Sequence, residues 1–259
     1  MKTELNELLE FAVEFARGAG EITLQYFRKR PETSTKSDGS YVTIADRQAE
    51  SYLRKQIAER FPDDGILGEE EGELQGTSGR RWILDPIDGT FAFVHGVPFY
   101  GVLIAVEIEG EMSVGVVNIP VLGEIVSAAK GLGCFLNGER ARVSTTAELK
   151  EALLLSTSFG PSTESMQARA KVSRTWGDCY GYVLVATGRA DVMLDPVMNL
   201  WDCAPLLPIV EEAGGTFTDW RGARTADGGN AIATNGLLFD EVMSIVRQAQ
   251  PQKSTKSSE

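Results

Sequence analysis

The segment WILDPIDGT, residues 82–90, carries two aspartates three positions apart, Asp85 and Asp88, with Pro86 between them. The apolar run before Asp85 reads as a strand that delivers its carboxylate to a rim. Pro86 blocks helix continuation and stiffens the turn. Gly89 lets the backbone approach a ligand closely. Gly89, Thr90 and Phe91 then begin a helical turn whose free amides suit a phosphate. Two carboxylates repel a phosphate, so a cation has to stand between them. Oxygen ligands with no His or Cys nearby point to magnesium rather than zinc. A solvated Asp-Pro-x-Asp-Gly turn has the same wording, and the apolar run and Thr90 tilt the balance towards chemistry.

Three further segments offer groups to such a site. GEEEG at 68–72 places Glu69 at a strand end, although alone it reads as a charged surface turn. WDCAP at 201–205 places Asp202 at a helix start, where an aspartate can serve simply as a cap. KSDGSYVTIAD at 36–46 holds Lys36, Asp38, Thr43 and Asp46. Thr43 and Asp46 have capping-box spacing, which explains both without function. Lys36 and Asp38 fall in a polar loop or hairpin over 29–42, where a lid over a phosphate site would lie.

These segments need a scaffold, and the chain is long enough to supply one. It has 259 residues, 42% of them hydrophobic and 24% charged, which is ordinary globular composition. The formal net charge of −12 argues against nucleic-acid and anionic-membrane surfaces, where Lys and Arg supply the affinity. No apolar run has the length of a membrane span. Cys134, Cys179 and Cys203 are scattered and suggest neither a disulfide framework nor a zinc site, so a reducing, cytoplasmic location is expected. The single histidine, His95, excludes a multi-histidine metal site and any Ser-His-Asp triad not built on it; we read it as structural.

Helical periodicity predicts amphipathic helices over 3–28 and from about Thr43 to Phe61. Residues 65–70 and 81–87 read as strands. A meander follows from PFYGVLIAVE to about residue 145, with Asn137-Gly138 as a hairpin turn. Beyond it come a strand ALLLSTS, helices STESMQARAKV and GDCYGYVLVATGR, a strand ADVMLD and a helix WDCAPLLPIVEEAGG. Pro205 and Pro208 predict that the first turns of that last helix are kinked or non-helical. Strands GTFTDW and NAIATN and a helix over 236–248 complete the pattern. The expected organisation is an α+β half over 1–145 with a large antiparallel sheet and the metal site. An α/β half over 146–249 would complete that site, and 250–259 would form a disordered polar tail.

Taken in order, GEE, WILDPIDGT and WDxAP followed by EEAGG resemble the inositol monophosphatase family of magnesium-dependent phosphatases, over about residues 5–248. The resemblance implies the layered αβαβα sandwich of the inositol monophosphatase and fructose-bisphosphatase type, usually a homodimer. It implies that Glu69, Asp85 and the Ile87 carbonyl hold one Mg2+, and that Asp85, Asp88 and Asp202 hold a second. A third, weaker ion would use Glu69, so two to three ions share a site. Thr90, with Asp46 behind it, would orient and deprotonate the attacking water, Glu69 completing the catalytic set. The Gly89 and Thr90 amides, with Asp88 beside them, would bind the phosphate, and Lys36 would lie over the site.

RTWGDCYGYVLVATGRADVMLDP at 174–196, PFYGVLIAVE and FTDWRG resemble the histidinol-phosphate phosphatase branch. That reading makes Asp178 and Asp195 the partners of a substrate ammonium and imidazole, each worth about 1.5–3 kcal/mol. Trp176, Tyr180 and Trp220 could shape an imidazole pocket, core packing being the plainer account of Tyr180 and Trp220. Phe91 departs from the family, which usually has a polar residue there, and the loop 156–163 differs from inositol-directed members. An inositol-1-monophosphatase or broad sugar phosphatase is the alternative. A non-catalytic metal-binding relative is disfavoured, because every acidic ligand and Thr90 are present.

Overall fold

The computed structural model describes residues 2–37 and 39–249; the readings of Asp38 and of the 250–259 tail lie outside the described residues. Helix α1 (Lys2–Leu24) buries Leu5, Leu8, Ala12, Phe15 and Ala19, the stripe its periodicity requires. It ends short of residue 28, where Arg28 takes a positive φ of 60° that a helix cannot continue. Strands β1 (Thr33–Thr35) and β2 (Tyr41–Thr43) pair as an antiparallel hairpin. The hairpin runs directly into α2 (Ile44–Arg60), whose Thr43 and Asp46 form the expected capping box.

Strands β3 (Gly65–Gly68), β4 (Gly72–Leu74) and β5 (Arg80–Asp88) precede a short helix, α3 (Thr90–Val94). Then come β6 (Gly101–Ile108), β7 (Glu111–Ile119), β8 (Glu124–Ala129), β9 (Gly133–Leu136) and β10 (Glu139–Arg140). They form an eight-stranded sheet in the order β10-β9-β8-β7-β6-β5-β3-β4, in which only β3 and β5 run parallel. Asn137 and Gly138 turn β9 into β10 with φ values of 50° and 86°, the left-handed pair that hairpin turns favour.

The remainder of the chain comprises β11 (Leu153–Ser156), α4 (Pro161–Gln167), β12 (Val172–Arg174), α5 (Asp178–Ala186), β13 (Val192–Asp195), α6 (Leu200–Glu212), β14 (Thr216–Thr218), β15 (Ala231–Thr234) and α7 (Phe239–Ala249). Its five strands make a mixed sheet in the order β12-β11-β13-β15-β14. The expected STESMQARAKV helix stops at Gln167, and Val172–Arg174 pairs with β11 instead.

The two sheets and three helical layers form an αβαβα sandwich. Leu8, Phe15 and Leu53 pack with Trp82, Leu84 and Ile104 on the outer face of the large sheet. Cys203, Leu206, Val183 and Phe217 pack with Leu103 and Val117 between the sheets. Met166, Val242 and Val246 cover the far face of the small sheet. Side chains alternate along a strand, so Trp82 and Leu84 face outward while Ile83 faces Ala204 of α6.

The non-helical alternative for the first turns of α6 is not what forms. Helix α6 is continuous from Leu200 to Glu212 with Pro205 and Pro208 inside it. Each proline removes an i→i−4 donor, a cost set against near-complete burial, since Cys203 to Val210 are all buried. Gly115 makes this seat possible, because a Cβ there would come within 2.1 Å of the Pro205 carbonyl oxygen. Among the described residues no helix is long and apolar enough to cross a membrane.

Candidate active site

Asp85 and Asp88 stand three positions apart, and in a regular strand such residues point to opposite faces. The pairing with β6 slips between them: Asp85 opposes Leu103 and Asp88 opposes Gly101. Three steps of β5 thus match two of β6, and this bulge turns both carboxylates into one volume. Asp85 Oδ1 accepts from the Ile87 amide at 2.9 Å, fixing the turn. Asp202 arrives from the first turn of α6, where its Oδ2 accepts from the Asn199 amide at 2.7 Å. Carboxylate oxygens of Asp85, Asp88 and Asp202 lie within 4.8 Å of one another.

These groups floor a cleft of about 330 Å³, together with Glu69, Asp178 and the Ile87–Thr90 segment. Phe91 and residues 39–41 of the hairpin wall it. Burial pushes the Asp85 and Asp88 carboxyls well up, and neighbouring charges add to it: Glu69, Asp88 and Asp202 on Asp85, and Asp178 and Asp202 on Asp88. Burial likewise pushes Asp202 up to about 6. Crowded anions with oxygen-only donors are what a hard divalent cation relieves, so Mg2+ fits this donor set.

Glu69 sits in the β3–β4 turn, where Lys36 Nζ donates to it at 2.7 Å and to Glu70 at 2.6 Å. Lys36 therefore reaches the site through Glu69, though it is not among the cleft's lining residues. What holds that turn is Glu50, a residue the sequence reading passed over. Its fully buried carboxylate accepts from the Glu70 and Glu71 amides at 2.8 and 2.9 Å and from Arg54 Nε at 2.8 Å. The signal was available: Asp46, Glu50 and Arg54 follow i,i+4 spacing beside the apolar stripe of α2, but such charges usually read as a surface face. Glu50→Gln is expected to weaken divalent-cation binding about tenfold by calorimetry, the usual order for a residue that orients a ligand. Unchanged affinity would make Glu50 a fold element only.

Thr90 Oγ1 donates to the Ile87 carbonyl at 2.9 Å. Asp46, at the start of α2, is fully buried, with Oδ2 accepting from the Thr43 amide and hydroxyl at 2.7 and 2.6 Å. Its Oδ1 is buried without a hydrogen-bond partner, and burial first of all pushes this carboxyl up to about 6. Asp46 is thus the cap of α2 and carries an unsatisfied acceptor; it does not line the cleft, though the charge of Glu69 adds to the upward push on its carboxyl.

Asp178 does reach the cleft, from the first position of α5, in a left-handed conformation with φ of 52°. A Cβ built on Gly89, itself at φ 80°, would stand 3.0 Å from Asp178 Oδ2, so glycine is what lets the two segments meet. The neighbouring Cys179 amide donates to Asp88 Oδ2 at 2.5 Å. Asp195 ends β13, nearly buried, outside the cleft lining; burial pushes it up to about 7, with Asp178 and Asp202 adding to the effect. Trp220 braces this strand end by donating Nε1 to the Asp195 and Ala231 carbonyls at 3.0 and 3.1 Å. Tyr180 stacks on Phe99, centroids 4.9 Å apart, and both it and Trp220 pack into the core. Trp176 is 39% exposed and does not line the cleft.

Comparison with known proteins finds relatives over nearly the whole chain. The model of the inositol monophosphatase family matches residues 4–251. A histidinol-phosphatase of Chlorobaculum parvum is 47% identical over 241 residues, covering 89% of this chain and 93% of that protein. A histidinol-phosphatase of Mycobacterium tuberculosis is 41% identical over 249 residues, covering 91% and 96%. The Thermotoga maritima IMPase structure superposes with a TM-score of 0.87 at 34% identity, covering 94% of this chain and 98% of that one.

Proposed function

This chain belongs to the inositol monophosphatase family, and from that membership we propose that it hydrolyses L-histidinol phosphate to L-histidinol and phosphate. The observation that carries the substrate is Asp178, a carboxylate in the cleft beyond the metal-binding set. A neutral polyol has no use for an additional buried anion, whereas an ammonium or imidazolium does. The names of the two histidinol-phosphatase relatives support the same reading.

In this proposal Glu69, Asp85, Asp88, Asp202 and the Ile87 carbonyl hold two to three Mg2+ ions. When bound, the cations lower the pKa of water and neutralise phosphate charge. The chain's own groups do the rest. The Gly89 and Thr90 amides bind the phosphate oxygens. The Thr90 hydroxyl, which donates to the Ile87 carbonyl in this structure, would turn to pass its proton to Asp46 Oδ1, an acceptor without a partner, as it takes one from the attacking water. Lys36 holds Glu69 in place and returns charge balance as the substrate binds. Asp178 receives the substrate's cationic end, and Asp195 adds negative potential from behind. A cytoplasmic homodimer belongs to the same proposal and rests on the family resemblance.

The test is phosphate release measured in parallel on L-histidinol phosphate and inositol 1-phosphate, with Mg2+ and with EDTA. The expected preference is about a hundredfold for histidinol phosphate, some 2.7 kcal/mol of differential transition-state binding, and EDTA stops both reactions. Comparable rates would replace the proposal with a broader monophosphatase.

A further inference from the structure

Phe91 is 66% exposed, an unusual position for a large ring in a cleft floored by acids. It is nevertheless held in place. Its ring lies within 8° of parallel to Tyr41, with centroids 5.9 Å apart. It stacks on His95 at 4.2 Å, and a ring nitrogen of His95 bonds the Phe91 carbonyl at 2.8 Å. Phe91 and Tyr41 both line the cleft, and Phe91 follows directly on Gly89 and Thr90. A substrate whose phosphate sits on those two residues therefore lies next to this ring.

We propose that Phe91, braced by Tyr41 and His95, is the stacking platform for the heteroaromatic ring of the substrate and so a specificity-determining residue. The inference rests on the proposed function and deepens it. A phenyl ring offers no hydrogen bond to hydroxyls, so it gives a polyol nothing but desolvation. It offers a flat negative face to a flat cation. Asp178 supplies the opposite charge in the same cleft. A ring face and a carboxylate together select a phosphomonoester whose alcohol bears a planar, protonatable ring. His95 accordingly has a task without entering the chemistry, since it fixes the ring that the substrate meets.

The Mg2+-loaded enzyme and three variants test this, with kcat/KM taken for L-histidinol phosphate and inositol 1-phosphate. Phe91→Ala and Phe91→Leu are expected to lower the histidinol-phosphate to inositol-phosphate ratio about tenfold, mainly through KM for histidinol phosphate. Phe91→Tyr, which keeps the ring face, is expected to hold the ratio within about twofold of wild type. An unchanged ratio in Phe91→Ala overturns the platform. So does Phe91→Leu matching Phe91→Tyr, because apolar bulk alone would then suffice. Wild-type enzyme without a preference for histidinol phosphate overturns the proposed substrate and the platform with it. Wild-type preference that survives in Phe91→Ala overturns the platform alone.

Discussion

Asp88→Asn is expected to abolish hydrolysis of every phosphomonoester, by about a thousandfold or more, while making the metal-free protein more stable at pH 8. The first effect follows from the donor set. Asp88 shares one small volume with Asp85 and Asp202, and a neutral amide there cannot replace a carboxylate ligand. Losing several kcal/mol of charge stabilisation corresponds to at least three decades in rate. The second effect follows from burial and from the repulsion of Asp178 and Asp202, which hold the Asp88 carboxyl well above its ordinary range. A raised carboxyl means that the folded state binds its proton more tightly than the unfolded state. The stability this contributes is complete below the unfolded pKa and is lost as pH rises through the folded one. At pH 8 the wild type bears the cost of this raised carboxyl, and the variant, with no titrating group there, does not. The Asn oxygen can still accept from the Cys179 amide, and its NH2 meets the carboxylates that formerly repelled it. In EDTA at pH 8 the midpoint should rise roughly 2–4 °C, the response of such a chain to about 1 kcal/mol, and the gain should vanish towards pH 4. An active variant would remove Asp88 from the metal set. A midpoint lowered at every pH would show that the repulsion is not what the wild type bears.

The order of the acidic segments was legible, and the means of bringing them together was not. The stripe of α1 and the capping box of α2 are local patterns, and both elements lie where the periodicity puts them. Asp85 and Asp88 could be picked out as partners by type and spacing, yet the pleat alone would separate them. The bulge that unites them depends on pairing with β6, a relation between distant segments that no window of sequence contains. Pro205 and Pro208 leave a non-helical start open for the same reason: their local cost is real, but burial between two sheets overrides it and the helix forms. Glu50 stayed hidden because a buried charge on a helix is written with the same letter as an exposed one. Its partners are backbone amides twenty and twenty-one residues away, which carry no sequence signature. The aromatic wall is half visible in the sequence, since Phe91 departs from the family pattern. Its contact with Tyr41 needed the fold of the β1–β2 hairpin.

Asp178→Asn is expected to reduce kcat/KM for L-histidinol phosphate about 10- to 100-fold more than for inositol 1-phosphate, the range that follows from losing one charged hydrogen bond of about 1.5–3 kcal/mol. Asparagine is the informative replacement. Asp178 sits at φ 52°, a conformation Asn accepts and Ala resists by roughly 1–2 kcal/mol. Asp178→Ala would therefore mix backbone strain with lost charge and shift the segment whose Cys179 amide holds Asp88. Burial pushes the Asp178 carboxyl up, so the ionised form is costly in the empty cleft. A cationic substrate reverses that cost on binding, and a neutral polyol does not. The same carboxylate repels Asp88, so removing its charge eases the acidic cluster for every substrate alike. The two consequences oppose each other for histidinol phosphate and do not for inositol phosphate, which is why the ratio of kcat/KM values, and not either value alone, reads the role of Asp178. Equal losses on both substrates would make Asp178 a structural residue of the α5 entry and return the choice of substrate to Phe91 alone.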